Sequence, residues 1–277
     1  MAKISVIGLG GNSYFLETDH FHKKGETVVA DNMHEEFGGK GFNQAVAAAQ
    51  MGAKVSFLCA VGKDEGAKKA SETAKKYGVD GYFVKYPDKS TTLGFILTNK
   101  KGENQVTVYK NAELTVSDVN DFESEIASSD VLLLQNEVPI EVNVRAVELA
   151  KKYGVKIILN PAPVREIPEL IANEVFAVTP NEQESKAIDS KRYLNVITTL
   201  GKKGCLINGK TKVKPKKVKA VDTTGAGDTF NGALAVFLAE GDSLETACKK
   251  AVMASSLSVT KKYVLDSIPN RKQVLST

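Results

Sequence analysis

Between residues 130 and 199 the chain repeats one phrase: a short apolar run, a polar stop, and a connecting stretch that leads to the next apolar run. Asp130-Val131-Leu132-Leu133-Leu134-Gln135 stops at Asn136-Glu137, and Lys156-Ile157-Ile158-Leu159 stops at Asn160-Pro161-Ala162-Pro163. Phe176-Ala177-Val178-Thr179 stops at Pro180-Asn181-Glu182-Gln183-Glu184, and Asn195-Val196-Ile197-Thr198-Thr199 at Leu200-Gly201-Lys202-Lys203-Gly204. Uninterrupted apolar runs are strands covered on both faces, and the helical stretch 142–153, closed by Gly154, supplies such a cover. The rhythm demands an α/β fold, a mostly parallel sheet with helices on both faces. Ligands bind such a sheet where its strands end, so Glu137, Asn181 and Glu184 are expected to face one cleft.

Two glycine-rich turns bear on chemistry. The first is Val221-Asp222-Thr223-Thr224-Gly225-Ala226-Gly227-Asp228-Thr229-Phe230-Asn231-Gly232-Ala233, followed by Leu234 and Phe237 at helical spacing from Phe230 and Ala233. A turn of small residues opening a helix offers free N–H groups and the positive end of the helix dipole to an anion such as a phosphoryl group in transfer. Asp228 at its mouth reads either as the acceptor of a proton from an attacking hydroxyl or as a helix cap. The second turn, Phe37-Gly38-Gly39-Lys40-Gly41-Phe42-Asn43, precedes an alanine-rich helix over 44–51. Its glycines admit a ligand close to the backbone, while Lys40 and Asn43 offer polar groups to hydroxyls. It is not a Walker loop, since G-K-[ST] is lacking. Ile4-Ser5-Val6-Ile7-Gly8-Leu9-Gly10-Gly11 is a buried strand with a glycine turn, but Ser13 takes the last place of the dinucleotide fingerprint and no helical stripe follows. A nicotinamide enzyme is left as an alternative.

Elsewhere the pattern predicts a strand over 55–61 and a helix over 66–77 ended by Gly78. Strands over 91–97 and 105–109 flank the hairpin signal Lys100-Lys101-Gly102-Glu103-Asn104, and Glu26-Thr27-Val28-Val29-Ala30 also reads as extended. Residues 12–37 and 90–109 are thus expected to build a small β lid on one domain spanning 1–277. Hydrophobic residues, at 42%, suffice for a core, and a net charge of +4 suits small anions without calling for nucleic acid. Lys210, Lys212, Lys214, Lys216, Lys217 and Lys219 alternate with apolar residues as on the solvent face of a hairpin. Cys59, Cys205 and Cys248 form no C-x-x-C pair and read as reduced thiols of a cytoplasmic protein. No basic leader is visible, and no apolar run approaches the roughly 20 residues of a membrane helix.

Five motifs carry a resemblance. Gly38-Gly39-Lys40-Gly41-x-Asn43-Gln44-Ala45, Asn160-Pro161-Ala162-Pro163, Thr179-Pro180-Asn181-Glu182-x-Glu184, Thr199-Leu200-Gly201-x-x-Gly204 and Asp222-Thr223-x-Gly225-Ala226-Gly227-Asp228-Thr229-Phe230-Asn231-Gly232 stand in order over nearly the whole chain. They resemble the ribokinase-type (phosphofructokinase-B-like) sugar kinases. The resemblance implies a three-layer sandwich with a β lid, and phosphoryl transfer from ATP to a sugar hydroxymethyl group. It makes Asp228 the base, and the backbone of Gly225, Ala226 and Gly227 the anion hole. Asn181 and Glu184 fall in its Mg2+ and phosphate region, and Thr199, Gly201 and Gly204 on its nucleotide side. Gly11, Ser13, Gly39, Lys40, Gly41, Asn43 and Glu137 match sugar-contacting positions. Asp222, Thr224 and Ser267 match a monovalent-cation (K+) site, and pairing of two chains through their lids is implied.

The chain also departs from that pattern. Gly11 and Ser13 stand where ribokinases carry an Asn and an Asp, and a neutral Ser cannot replace a bidentate carboxylate. The stretch between Glu184 and Asn195 is short, so a helix there is expected to be reduced. Tyr263, in Lys261-Lys262-Tyr263-Val264-Leu265-Asp266-Ser267, stands where Gly is usual and predicts either a different backbone path or a crowded base pocket. Three functions follow: an active sugar kinase, a nucleoside kinase with a larger apolar pocket under the lid, or a non-catalytic sugar or nucleotide sensor.

Overall fold

The computed structural model describes residues 1–101 and 103–276. The chain begins with β1 (Lys3–Ile7), β2 (Gly11–Thr18) and β3 (Asn32–Gly38), then winds through α1 (Lys40–Gln50), β4 (Lys54–Gly62), α2 (Glu65–Tyr77) and β5 (Val79–Tyr86). Next come β6 (Thr92–Asn99), β7 (Asn104–Tyr109), α3 (Val116–Asp121), α4 (Glu123–Ala127), β8 (Val131–Gln135), α5 (Ile140–Tyr153), β9 (Lys156–Asn160), α6 (Glu169–Glu174) and β10 (Ala177–Val178). The last third holds β11 (Ile197–Thr199), β12 (Cys205–Ile207), β13 (Thr211–Val213), α7 (Ala226–Ala239), α8 (Leu244–Ser258) and α9 (Arg271–Leu275).

Six strands in the order β10-β9-β8-β1-β4-β5 form the central sheet, and every neighbouring pair is parallel. Because side chains alternate along a strand, Val131 and Leu133 of β8 join one core with α1, α2, α7 and α8, while Leu132 and Leu134 join the other with α3 to α6. The three-layer α/β architecture is as expected, with a sheet that is wholly parallel. One close approach positions the chemistry. Gly232 of α7 packs so tightly on α1 that a Cβ there would lie 2.5 Å from the Cβ of Ala47. That contact sets the N-terminus of α7 beside the N-terminus of α1.

A second sheet, β3-β2-β6-β7, is mixed: β2 pairs antiparallel with β3 and parallel with β6, and β6 pairs antiparallel with β7. It is made from the residues expected to form the lid; Gly102, in the expected hairpin turn, lies outside the described residues. Residues 26–30, however, are not a strand. Val29 is 84% exposed there, in the connection between β2 and β3, so its apolar side chain gains no burial from an extended pairing.

Two features differ from the expected pattern, although the strand expected over 195–199 is found, as β11. Strand β5 pairs with β4 at the edge of the central sheet, and a three-stranded sheet β11-β12-β13 extends beyond β10 through the bridges Val178–Val196 and Asn181–Thr199. The lysine-rich stretch is strand only at Thr211–Val213, because Pro215 has no N–H to give a ladder and the chain leaves the sheet. Between Glu184 and Asn195 only two 3-10 turns occur, Glu184–Lys186 and Ser190–Arg192. Among the described residues no helix is long and apolar enough to cross a membrane.

Candidate active site

The first turn of α7 is the centre of the site. Gly225 caps the helix with φ 73°, the left-handed region; the N–H of Ala226 goes to the Thr223 carbonyl at 3.3 Å, and those of Gly227 and Asp228, with no side-chain cap, are left for another acceptor. Asp222 folds the turn: its Oδ1 accepts the N–H of Thr224 at 2.9 Å and its hydroxyl at 2.7 Å, while Oδ2 accepts the N–H of Tyr263 at 3.0 Å. A Cβ on Gly225 would run into Cγ1 of Val264, whereas one on Gly227 would meet nothing within 4 Å. Gly225 therefore packs, and Gly227 faces open space.

This turn is the wall between two cavities. Thr223, Ala226 and Gly227 line one of about 570 Å³, with Thr199, Gly201, Gly204, Phe230 and Val252. Thr224, Gly225 and Asp228 line the other, of about 170 Å³, with Gly11, Ser13, Gly39, Lys40, Asn43 and Glu137. The two sets of residues marked out separately in the sequence thus fall on opposite sides of one turn.

Asp228 is 7% exposed and fixed by amides. Its Oδ2 accepts Asn43 Nδ2 at 3.0 Å and its Oδ1 accepts Gln44 Nε2 at 3.1 Å. Gln44 is held in turn by Gln135 at the end of β8, whose Nε2 donates to Gln44 Oε1 at 2.9 Å, and it also donates to Asn160 Oδ1 at the end of β9 at 3.2 Å. On the far side of α7, Thr179 donates to Asn231 Oδ1 at 2.7 Å, and Asn231 Nδ2 donates to the carbonyl of Gly227 at 2.9 Å. The carboxyl ends of three parallel strands thereby orient one helix terminus. Asn43 Oδ1, buried beside Asp228, has no partner.

Lys40 is the electrostatic hub. The Asp228 carboxylate holds its ammonium above the usual range, with help from Glu137 and Glu184 against the cost of burial. Glu137 Oε2 accepts the Lys40 N–H at 3.0 Å, and burial pushes its carboxyl up despite the opposing Lys40 charge. Burial also pushes Glu184 up, offset by the Asn181 N–H and Lys40. Asp228, Glu137 and Glu184 thus all act on the one Lys40 charge.

Some expected residues stand apart. Gly41 is not on the cleft wall; it packs on β1, where a Cβ would lie 2.7 Å from Gly8 Cα. Asn181 and Glu184 line neither cavity but bond to each other, Glu184 Oε2 taking the Asn181 N–H at 2.8 Å and Oε1 taking Nδ2 at 2.7 Å. Ser267 donates its hydroxyl to the Val264 carbonyl at 2.7 Å. Among the described residues no group of three or more His, Cys, Asp or Glu could hold a metal ion. Sequence reasoning missed Glu36, which pairs with Ser13 across β2 and β3 and shares the small cavity with it; Lys216 and Lys217 are exposed as expected, and both also line the large cavity, which was not foreseen.

Comparison with known proteins covers the whole of this frame. The family described as pfkB family carbohydrate kinase matches residues 1–271. A ribokinase of Haemophilus influenzae is 34% identical over 296 residues, covering 98% of this chain and 97% of its own. Among solved structures, a ribokinase from Thermotoga maritima aligns with a TM-score of 0.88 at 34% identity, covering 100% of this chain and 99% of its own. An Arabidopsis thaliana ribokinase complexed with ribose and ATP aligns with a TM-score of 0.84 at 27% identity, covering 100% and 98%.

Proposed function

The chain belongs to the pfkB family of carbohydrate kinases, and from that premise we propose that it moves the γ-phosphoryl group of ATP to the hydroxymethyl group of a pentose or related sugar. One observation carries the reading: Asp228 and the N–H groups of residues 225–227 lie on a single turn that separates a large cavity from a small one. The sugar occupies the small cavity, under the lid sheet β3-β2-β6-β7. ATP occupies the large one, with Thr199, Gly201 and Gly204 on its wall and the ammonium groups of Lys202, Lys216 and Lys217 at hand for its phosphates. The ribose and ATP bound to the Arabidopsis relative support both assignments.

In this reading the hydroxymethyl oxygen attacks the γ-phosphorus as the bond to the ADP oxygen breaks, and the hydroxyl proton passes to Asp228. Asn43 and Gln44 keep the carboxylate aimed. The transition state is loose, so positioning and charge do most of the work, and the α7 N-terminus with Lys40 supplies the charge. Asn181 and Glu184 would hold magnesium through its water shell, because each Glu184 oxygen takes one Asn181 N–H and keeps a lone pair for a metal-bound water. Bound there, magnesium would neutralise phosphate charge.

The size of the small cavity, about 170 Å³, favours a free sugar over a nucleoside, because pockets that enclose larger ligands start at about 300 Å³. Asp228, set by two amides at the junction, speaks for catalysis rather than sensing. Three free buried cysteines support a reducing, cytoplasmic setting. The outer strand β7 carries Val106 at 56% and Val108 at 45% exposure, and a second chain pairing over this edge would cover them. ADP release measured with a panel of pentoses, hexoses and nucleosides tests the reading. Turnover with a pentose is expected; turnover with nucleosides alone, or binding without turnover throughout, would contradict it.

A further inference from the structure

The resemblance gives Asp222, Thr224 and Ser267 a place in a monovalent-cation site, and their hydrogen bonds decide whether such an ion fits. A hard cation needs several oxygen atoms with free lone pairs turned to one point. Here Asp222 Oδ1 already faces the N–H and O–H of Thr224, and Oδ2 faces the N–H of Tyr263. The Val264 carbonyl takes both the hydroxyl of Ser267 at 2.7 Å and its N–H at 3.1 Å. The Val259 carbonyl takes the N–H of Val221 at 2.7 Å and of Asp222 at 3.3 Å. Asp222 Oδ1 and the Val264 and Val259 carbonyls each already take two hydrogens and Asp222 Oδ2 takes one, so only Oδ2 and the neutral Thr224 and Ser267 hydroxyls keep lone pairs, too few to ring an ion.

What aims the Tyr263 N–H at Asp222 is the rest of that residue. Its φ of 64° is in the left-handed region, costly for a residue with a Cβ, and side-chain contacts to the lid sheet hold it there. The ring stacks on His34 of β3, with centroids 3.7 Å apart and planes 14° from parallel, and meets Phe15 of β2 edge-on at 5.6 Å. Its hydroxyl donates to Glu17 Oε1 at 3.2 Å and accepts from Asn32 Nδ2 at 3.1 Å. Its neighbours are pinned to the same strands. Lys262 Nζ lies 2.7 and 2.8 Å from the two oxygens of Glu17, and Glu36 accepts the N–H groups of Val264 at 3.2 Å and Leu265 at 3.4 Å. Val264 closes the circuit by packing against Gly225.

We propose that the loop from Lys262 to Leu265, folded over by Tyr263 and bolted to β2 and β3, holds Asp222 and the turn of residues 223–228 in place of a monovalent cation, so that phosphoryl transfer by this chain needs no potassium. Tyr263 and Glu36 act as positioning residues. The inference rests on the kinase reading above, and its tests separate the two. Rates with sugar and ATP in potassium chloride and in tetramethylammonium chloride at equal ionic strength are expected to agree. A rate about fivefold or more higher in potassium, the low end of ordinary coupling between sites, would overturn the inference while leaving the kinase standing.

Thermal unfolding of the chain without substrates tests the same point without turnover, since an ion bound only by the folded state raises Tm as its concentration grows. No potassium-specific rise is expected, and one that is absent in tetramethylammonium would overturn the proposal. A flat Tm with no turnover in either salt would support the clamp and sink the kinase reading instead. Tyr263→Gly, which relaxes the backbone and removes every pin from the ring, is expected to make the rate or the Tm respond to potassium. Tyr263→Phe, which keeps the ring contacts, is expected to stay insensitive. An equal response of the two variants would show that the side chain does not do the ion's work.

Discussion

Asn43 and Asp228, 185 positions apart in the chain, are joined by a 3.0 Å hydrogen bond from amide to carboxylate. The bond exists because Gly232 lets α7 settle onto α1, and it leaves Asn43 Oδ1 buried without a partner. Asn43→Ala removes a donor to Asp228, the base of the proposed reaction. It is expected to lower kcat/KM for the sugar by about 10- to 100-fold, the worth of one hydrogen bond to a charged group. Steady-state ADP release checks this, and an unchanged kcat/KM would remove Asn43 from the site.

The two glycines of the α7 turn should fail in opposite ways. Gly225→Ala puts a Cβ into Val264 at a positive φ, and is expected to cost about 1 to 3 kcal/mol of stability. Gly227→Val meets open space on the fold side, so its Tm should hold while the side chain intrudes on the cavity beside the phosphoryl path. Thermal melts and rates measured on both variants decide it. Equal loss of stability in the two would contradict the placement of the cavities.

Glu137 carries a pH signature. Burial raises its folded-state carboxyl above the ordinary value of about 4.3, so between the two values the folded chain keeps a proton that the unfolded chain has released. Its contribution to stability is then full below the ordinary range and is lost as pH rises through the raised value. Glu137→Gln is expected to flatten that slope above the ordinary carboxylate range and to weaken sugar binding. Denaturant midpoints across pH test the first effect, and an unaltered slope would contradict it.

Most of the frame was legible from the sequence because the apolar runs of β1, β4, β8 and β9 are too uniform to be anything but buried parallel strands. What escaped was local or long-range. Strand β5 hides its character because Asp80, Gly81 and Lys85 interrupt it, as an edge strand with an exposed face permits. Glu36 looks like any solvated carboxylate on an alternating strand until β2 places it opposite Ser13. The buried amides Gln44, Gln135, Asn160 and Asn231 come from four separate elements, and no spacing in the chain announces that they meet at α7. Tyr263 was visible as a departure from the family pattern, but its stack on His34 was not.

Ser13→Asp, which restores the family's carboxylate, has to be judged against Glu36. The two positions are direct cross-strand partners, both on the small cavity, and burial already holds the Glu36 carboxyl above its usual range. Two like charges facing each other are destabilising, so Ser13→Asp alone is expected to give no gain with ribose. Combined with Glu36→Gln, which drops the charge but keeps an acceptor for Val264 and Leu265, it is expected to raise kcat/KM for ribose by about tenfold. A gain from the single variant, or none from the double, would show that the two residues do not share one binding wall.

The account depends most on Asp228 taking a proton at the boundary of the two cavities. The direct measurement is kcat for sugar-dependent ADP release by Asp228→Asn beside the unaltered chain, with ATP affinity and Tm followed as controls. Loss of the base is expected to lower kcat by about 10² to 10⁴-fold while ATP affinity holds. An Asp228→Asn variant that turns over as fast as the unaltered chain would contradict it.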